Sequence, residues 1–139
     1  MLITKHSIRT KVKPEAIWKL WEKIDEWPKW DHGIETSHLD GRFEAGSQGW
    51  LKPKGAPKVS FVIIEAVPFK KFHDRSFLPL TKLDFIHTIE QEGEYSVVTH
   101  QVEMTGLLTF IFSKIIGTGI KKDMPTAMEK LIQQAELTR

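Results

Sequence analysis

The sequence predicts an α+β fold: a run of antiparallel strands covered by a long C-terminal helix. Three observations carry this. Residues 2–12 and 34–104 alternate apolar and polar side chains in short stretches broken by Gly, Pro and Asp, the period of strands joined by tight turns. Residues 106–137 instead place Leu108, Phe112, Ile116, Ile120, Met124, Met128, Leu131 and Ala135 at spacings of four and three, one face of a helix. The strands fall in one run with the helices set apart, which is the α+β order and not the alternating order of a parallel sheet.

Taken in order, Leu2, His6, Ile8 and Val12 fall on one side of a first strand, and Lys5, Arg9 and Lys11 on its wet side. Pro14 opens a helix at its first position, where a missing N–H costs nothing. Ile17, Leu20, Trp21 and Ile24 form its inner stripe, and Glu15 suits the helix dipole. Trp27-Pro28 forces the chain out of regular helix, and Trp30 follows on a short extra turn. Four tryptophans stand between Trp18 and Trp30. Trp21 and one other are expected to cap the core, leaving the rest for a pocket rim.

Ile34 to Phe43 reads as a strand with a turn near Asp40-Gly41, and Trp50 to Lys54 as a brief strand before a turn at Pro53–Pro57. A bulge at Gly46 or Gly49 would move the facing of these two strands by one residue. Val59 to Val67 is apolar on both faces, which suggests a central position. Phe72 to Leu78 follows, then a turn at Pro79-Leu80-Thr81. Leu83, Phe85, His87 and Ile89 alternate with polar residues, Glu92-Gly93-Glu94 turns the chain, and Val98, His100, Val102 and Met104 alternate again. The final helix, if continuous, is about 45 Å long at 1.5 Å per residue. Its first half is apolar nearly all round. Gly117, Gly119 and Pro125 interrupt the middle, and a kink or break is expected at Pro125. It is the only element long enough to cover one face of the sheet.

The 139 residues suggest one domain, 1–139. Charged residues make up 27% and apolar residues 40%, with net charge +2, so a nucleic-acid surface is not expected. Without cysteine, neither disulfides nor thiolate metal sites are possible. The charged, alternating start is no signal peptide, and no apolar run reaches membrane-spanning length, so a cytoplasmic location is the expectation.

The order and spacing of several segments resemble the START/Bet v 1-like (SRPBCC) superfamily, in its polyketide cyclase/dehydrase-like branch. They are Pro14-Glu-Ala-Ile-Trp18 with Trp27-Pro-Lys-Trp30, Gly49-Trp-Leu-Lys-Pro53, Val59 to Glu65 followed by Pro68 and Phe72, Thr99-His100, and Gly117 to Ala135 with its Lys-Asp-Met-Pro125 entry. The resemblance implies a helix-grip fold, in which a curved seven-stranded antiparallel sheet wraps the C-terminal helix. Two short helices lie between strands 1 and 2. It also implies a cavity between sheet and helix that accepts an apolar or aromatic small molecule such as a lipid, quinone or polyketide. No cofactor is implied, and the chain is expected as a monomer or homodimer.

Candidate lining follows from facing. The sheet offers Leu51, Phe61, Ile63, Phe72, Phe85 and Val102, with His87 and His100 among them. The loop offers Trp30, and the helix Phe112, Ile116 and Ile120. His6, His87 and His100 fall on apolar strand faces, and the superfamily's sheet order sets the three strands side by side. Asp74 points the same way. Ring closure of a polyketide needs a base and a carbonyl-polarising donor; imidazoles titrating near neutrality can serve, with Asp74 to orient one. A lone inward histidine is ordinarily a core residue with one satisfied hydrogen bond, and strand facing does not bring three ligands onto a metal. His32 and His38 read as surface residues.

Three functions therefore compete. A pocket lined by Leu, Ile, Phe and Val, with histidines capped by backbone, favours a binding protein. Convergent His and Asp around free volume favour a cyclase or dehydratase. A closed interior with a large exposed apolar patch favours a co-chaperone-like interaction module.

Overall fold

The computed structural model describes residues 1–137. Strand β1 (Leu2–Thr10) is followed by helix α1 (Pro14–Glu22) and a 3₁₀ helix (Ile24–Lys29). Six strands come next: β2 (Ile34–Asp40), β3 (Gln48–Pro53), β4 (Val59–Val67), β5 (Lys71–Leu78), β6 (Thr81–Glu92) and β7 (Tyr95–Gly106). Helices α2 (Thr109–Ile115) and α3 (Gly117–Leu137) close the chain. The seven strands form one antiparallel sheet in the order β1-β7-β6-β5-β4-β3-β2. The α+β prediction holds, as does the helix-grip order with two short helices after the first strand.

Pro14 stands at the first turn of α1 as expected, and Ile17, Trp18 and Trp21 are buried from that helix. The 3₁₀ helix carries Pro28 inside it and buries Ile24 and Trp27. All four tryptophans from Trp18 to Trp30 are at most 5% exposed, so the core takes all of them where the sequence assigned it two. They pack edge to face: Trp18 on Trp21 at 6.0 Å, Trp27 on Trp30 at 6.2 Å, with Trp27 stacked over Phe61 at 6.3 Å. Gly49 makes room for this, because a Cβ there would meet the His38 carbonyl at 2.3 Å and the Phe61 ring at 2.6 Å.

Three expectations need correction. Leu2 is exposed, not inward, because an irregularity between Leu2 and Thr4 shifts the pairing and turns Ile3 toward the core instead. Bulges occur near Glu35 and Ile64 and not at Gly46 or Gly49; after the second of them Ala66 faces Phe72. The C-terminal helix is interrupted at Ile116, ahead of Gly117, and runs unbroken through Pro125. Met124, Met128, Leu131, Ile132 and Ala135 are buried from α3, which packs on β1 and α1. Helix α2 buries no residue. Among the described residues, no helix is long and apolar enough to cross a membrane.

Candidate functional site

The β6–β7 hairpin fixes the centre of the inner face. Its register sets His87 opposite His100, and the β1–β7 pairing sets His6 opposite His100. On the other side His87 faces Phe72 of β5. The result is a row across four strands: His6, His100, His87, Phe72. The His87 and His100 rings meet edge to face at 4.5 Å, and His87 stacks on Phe72 at 4.7 Å. His87 and His100 are buried, while His6 near the sheet edge is half-buried. Asp74, two residues along β5 from Phe72, faces Phe85 and is 1% exposed.

The roof over this row is aromatic. Trp21 lies 5.4 Å from the His87 ring and 5.8 Å from His100, and Trp30 lies 6.3 Å from His100. The interior where the resemblance implies a cavity is thus filled by indoles at its α1 end. Two cavities lie elsewhere. One of about 330 Å³ is a groove between Asp31–Gly33, Lys54 and the Asp123–Lys130 stretch of α3. The other, of about 110 Å³, lies between Leu20, Trp30 and Gln134. In the first, burial and the neighbouring Asp123 push the Asp31 carboxyl up, offset by a bond from the Gly33 amide.

Hydrogen bonding fixes the state of the row. The His87 Nδ1–H donates to the Phe72 carbonyl at 2.9 Å, which leaves Nε2 with the lone pair. Asp74 Oδ1 is 4.0 Å from the same Nδ1, so the carbonyl, and not Asp74, orients this imidazole. Burial drives the His87 pKa down to about 4, against the opposing pull of the Phe72 carbonyl. Burial, then His87 and His6, hold His100 well below the ordinary imidazole value. Burial holds the Asp74 carboxyl well above the usual range, with Asp84 adding to it. At neutral pH the two imidazoles are therefore neutral, and burial disfavours the charged form of the Asp74 carboxyl.

Four buried polar atoms here have no hydrogen-bond partner among the described residues: Asp74 Oδ1, His100 Nε2, and the indole Nε1 of Trp21 and Trp30. By contrast, Trp27 Nε1 donates to the Trp21 carbonyl at 3.1 Å. Buried polar groups are nearly always paired, and each orphan costs about 1–3 kcal/mol. The four lie around one row, where a partner from outside the chain would pair them.

Of the residues anticipated from sequence, Trp30, Phe61, Ile63, Phe72, His87, His100 and Val102 are buried. Leu51, Phe85, Phe112 and Ile120 are half-buried against the core, and Ile116 is half-buried at the end of α2. The sequence treated Trp21 as a core cap only. Nothing in its spacing signals that its N–H would be left unpaired beside two histidines. Among the described residues, no group of three or more His, Asp and Glu is arranged to hold a metal.

A seven-stranded sheet gripping a C-terminal helix, with an inner face that mixes aromatics and neutral polar groups, defines a START/Bet v 1-like protein. Solved structures agree on the fold. Ara h 8.0201 superposes with a TM-score of 0.76 at 13% identity, covering 97% of each chain. The hypothetical protein jhp0584 from Helicobacter pylori gives 0.79 at 8% identity, covering 94% of this chain and 86% of that one. The di-domain ARO/CYC StfQ from the steffimycin biosynthetic pathway gives 0.73 at 12%, covering 97% of this chain and 50% of that one. The uncharacterized protein YdcF of Bacillus subtilis (strain 168) is 32% identical over 50 residues, 36% of this chain; the match spans 52% of YdcF, about half its length. The chain belongs to the family described as polyketide cyclase / dehydrase and lipid transport, which matches residues 1–136.

Proposed function

We propose that the protein binds a neutral small molecule with an aromatic or apolar body and carbonyl-type oxygens, held between the sheet and the C-terminal helices. One observation carries this: four unpartnered polar atoms, two of them indole N–H donors, gather on the inner face. The two indole N–H groups offer donors to a ligand oxygen. His100 Nε2 accepts from a ligand hydroxyl or donates to a ligand oxygen according to its tautomer. The indoles carry no charge and burial keeps His87 and His100 neutral, so a carboxylate would be buried here without a counter-ion, at a cost of several kcal/mol. Quinones and polyketide-like aromatics fit this chemistry better than fatty acids do.

Binding is favoured over catalysis by the state of His87. Its Nδ1–H is committed to a backbone carbonyl and its pKa lies near 4, so at neutral pH it is a weak base. Entry falls naturally at the α2 end, where Phe85, Phe112 and Ile120 are half-buried. A second reading, an interaction module, draws on the large apolar side chains exposed at that same end.

The test is a thermal-shift panel of neutral quinones and polyphenols against fatty acids, with native mass spectrometry of the purified protein. Neutral carbonyl-bearing aromatics should raise the melting temperature, and His100→Phe should cancel the rise. Stabilisation by fatty acids alone, or by no member of the panel, would remove this proposal.

A further inference from the structure

Helix α2 presents its apolar side to solvent. Leu107 is 74% exposed, Phe110 67%, Ile111 40% and Ile115 68%. Leu107 lies in the turn just ahead of the helix; within it Phe110, Ile111 and Ile115, with Lys114 among them, share an arc of about 140° at 100° per residue. The opposite side, with Leu108, Phe112 and Ile116, is the half-buried one. The neighbouring hairpin tip adds to the same surface. Leu80 is 68% exposed, and its carbonyl accepts the Leu107 amide at 2.9 Å. Leu80 holds φ at 51°, a left-handed conformation that a glycine or asparagine takes with less strain. Met1, 64% exposed, joins from β1, its backbone paired with Met104.

Charge tells what covers this end. Residues 104–122, 75–83 and 1–5 contain no Asp or Glu. They do contain Arg75, paired with Asp84, and Lys5, Lys82, Lys114, Lys121 and Lys122, none of these lysines in an ion pair among the described residues. A second copy of the chain docking through the same surface would set lysines against lysines. Exposed apolar side chains on a short helix with no buried residue, with Lys114 among them and Lys121 and Lys122 following on the next helix, match the interface of a bilayer with anionic headgroups.

We infer that this end docks on an anionic lipid surface, with Leu80, Leu107, Phe110 and Ile115 entering the headgroup region and Lys114, Lys121 and Lys122 on lipid phosphates. The contact is peripheral, and it stands independently of the ligand proposed for the inner face.

Co-sedimentation of the full chain with phosphatidylcholine vesicles and with mixed phosphatidylcholine–phosphatidylglycerol vesicles tests it. Binding should be confined largely to the mixed vesicles and should weaken as salt is raised. Leu107→Glu with Phe110→Glu should abolish it while the circular dichroism spectrum and melting temperature stay as in the parent. Lys121→Gln and Lys122→Gln, which leave the apolar side untouched, should each lower partitioning about fivefold. No association with mixed vesicles would overturn the inference. So would equal binding by the lysine variants. Light scattering that shows a dimer lost in the double glutamate variant would replace the bilayer with a second copy. An acidic apolar protein partner is the outcome if vesicles fail and no self-association is seen.

Discussion

The two ends of the inner face are built on opposite terms. Under α1 and the 3₁₀ helix, Trp18, Trp21, Trp27 and Trp30 fill the space with rings in mutual contact, and Trp21 is fully buried. Under α2 the cover is thin: that helix buries nothing, and Phe85, Phe112 and Ile120 keep part of their surface in water. One end supplies the stability that the other gives up. The polar row of His6, His100 and His87 lies beneath the packed end, with Asp74 one pleat toward the loose one, the side from which the proposed ligand would enter.

Breaking this comparison begins at the packed end. Trp21→Ala should destabilise by about 3–5 kcal/mol in urea titration, the cost of a large buried aromatic. Phe110→Ala should lie within about 0.5 kcal/mol of the parent, as an exposed position does. Equal effects at the two sites would dissolve the contrast.

Next in size is the row itself. His100→Phe keeps a planar ring and removes an unpartnered nitrogen, so it should stabilise by about 1 kcal/mol while removing ligand binding. A purely structural histidine would lose stability on the same change. The two measurements together separate a site residue from a packing residue.

Smaller again is the pH dependence. His87 is neutral in the fold down to about pH 4, whereas in the unfolded chain it protonates near its ordinary value of 6.5. The unfolded state thus binds more protons between those values, and stability should rise with pH from about 4 to 6.5. His87→Gln should flatten that slope. Asp74 acts in the opposite sense. Its carboxyl keeps its proton in the fold above 3.8, so its contribution is full at low pH and is lost as pH rises through the raised value. Asp74→Asn should steepen the rise that His87 produces.

The least effect is expected at His38. Its ring bridges Asp25 at 2.9 Å and Asp40 at 3.0 Å and ties the 3₁₀ helix to β2. The hydrogen bond to Asp25 raises its pKa, so this tie is full below about pH 6.5 and fades as pH rises through the folded value. His38→Gln should remove only that fading, seen as a small change in the melting-temperature difference between mildly acidic and mildly basic buffer.

Alternation alone found the strands and the facing of His87 and His100, because a period of two admits only two faces. It misjudged Leu2, since one irregularity at Ile3 exchanges the faces and leaves no mark in the hydrophobic pattern. It misjudged α2 for a related reason: a segment apolar nearly all round reads as buried, whereas burial depends on whether another element arrives to cover it. Pro125 drew the expected break away from Gly117, though a proline displaces one carbonyl partner while α3 keeps its remaining contacts with β1 and α1. The orphaned indole and imidazole nitrogens were outside the reach of any pattern, because they depend on distances between residues far apart in the chain.

The arrangement of the tryptophans also gives the protein its own reporter. Trp21 and Trp30 touch the His100 ring, and Trp18 and Trp27 each lie one ring contact further away. Trp50, beside His38 and Lys58 on the sheet's far side, is remote from that group. Emission from four indoles is therefore bound to what happens at His100, and the fifth serves as an internal reference. Occupancy, protonation and local opening can be followed in the unlabelled chain by light alone.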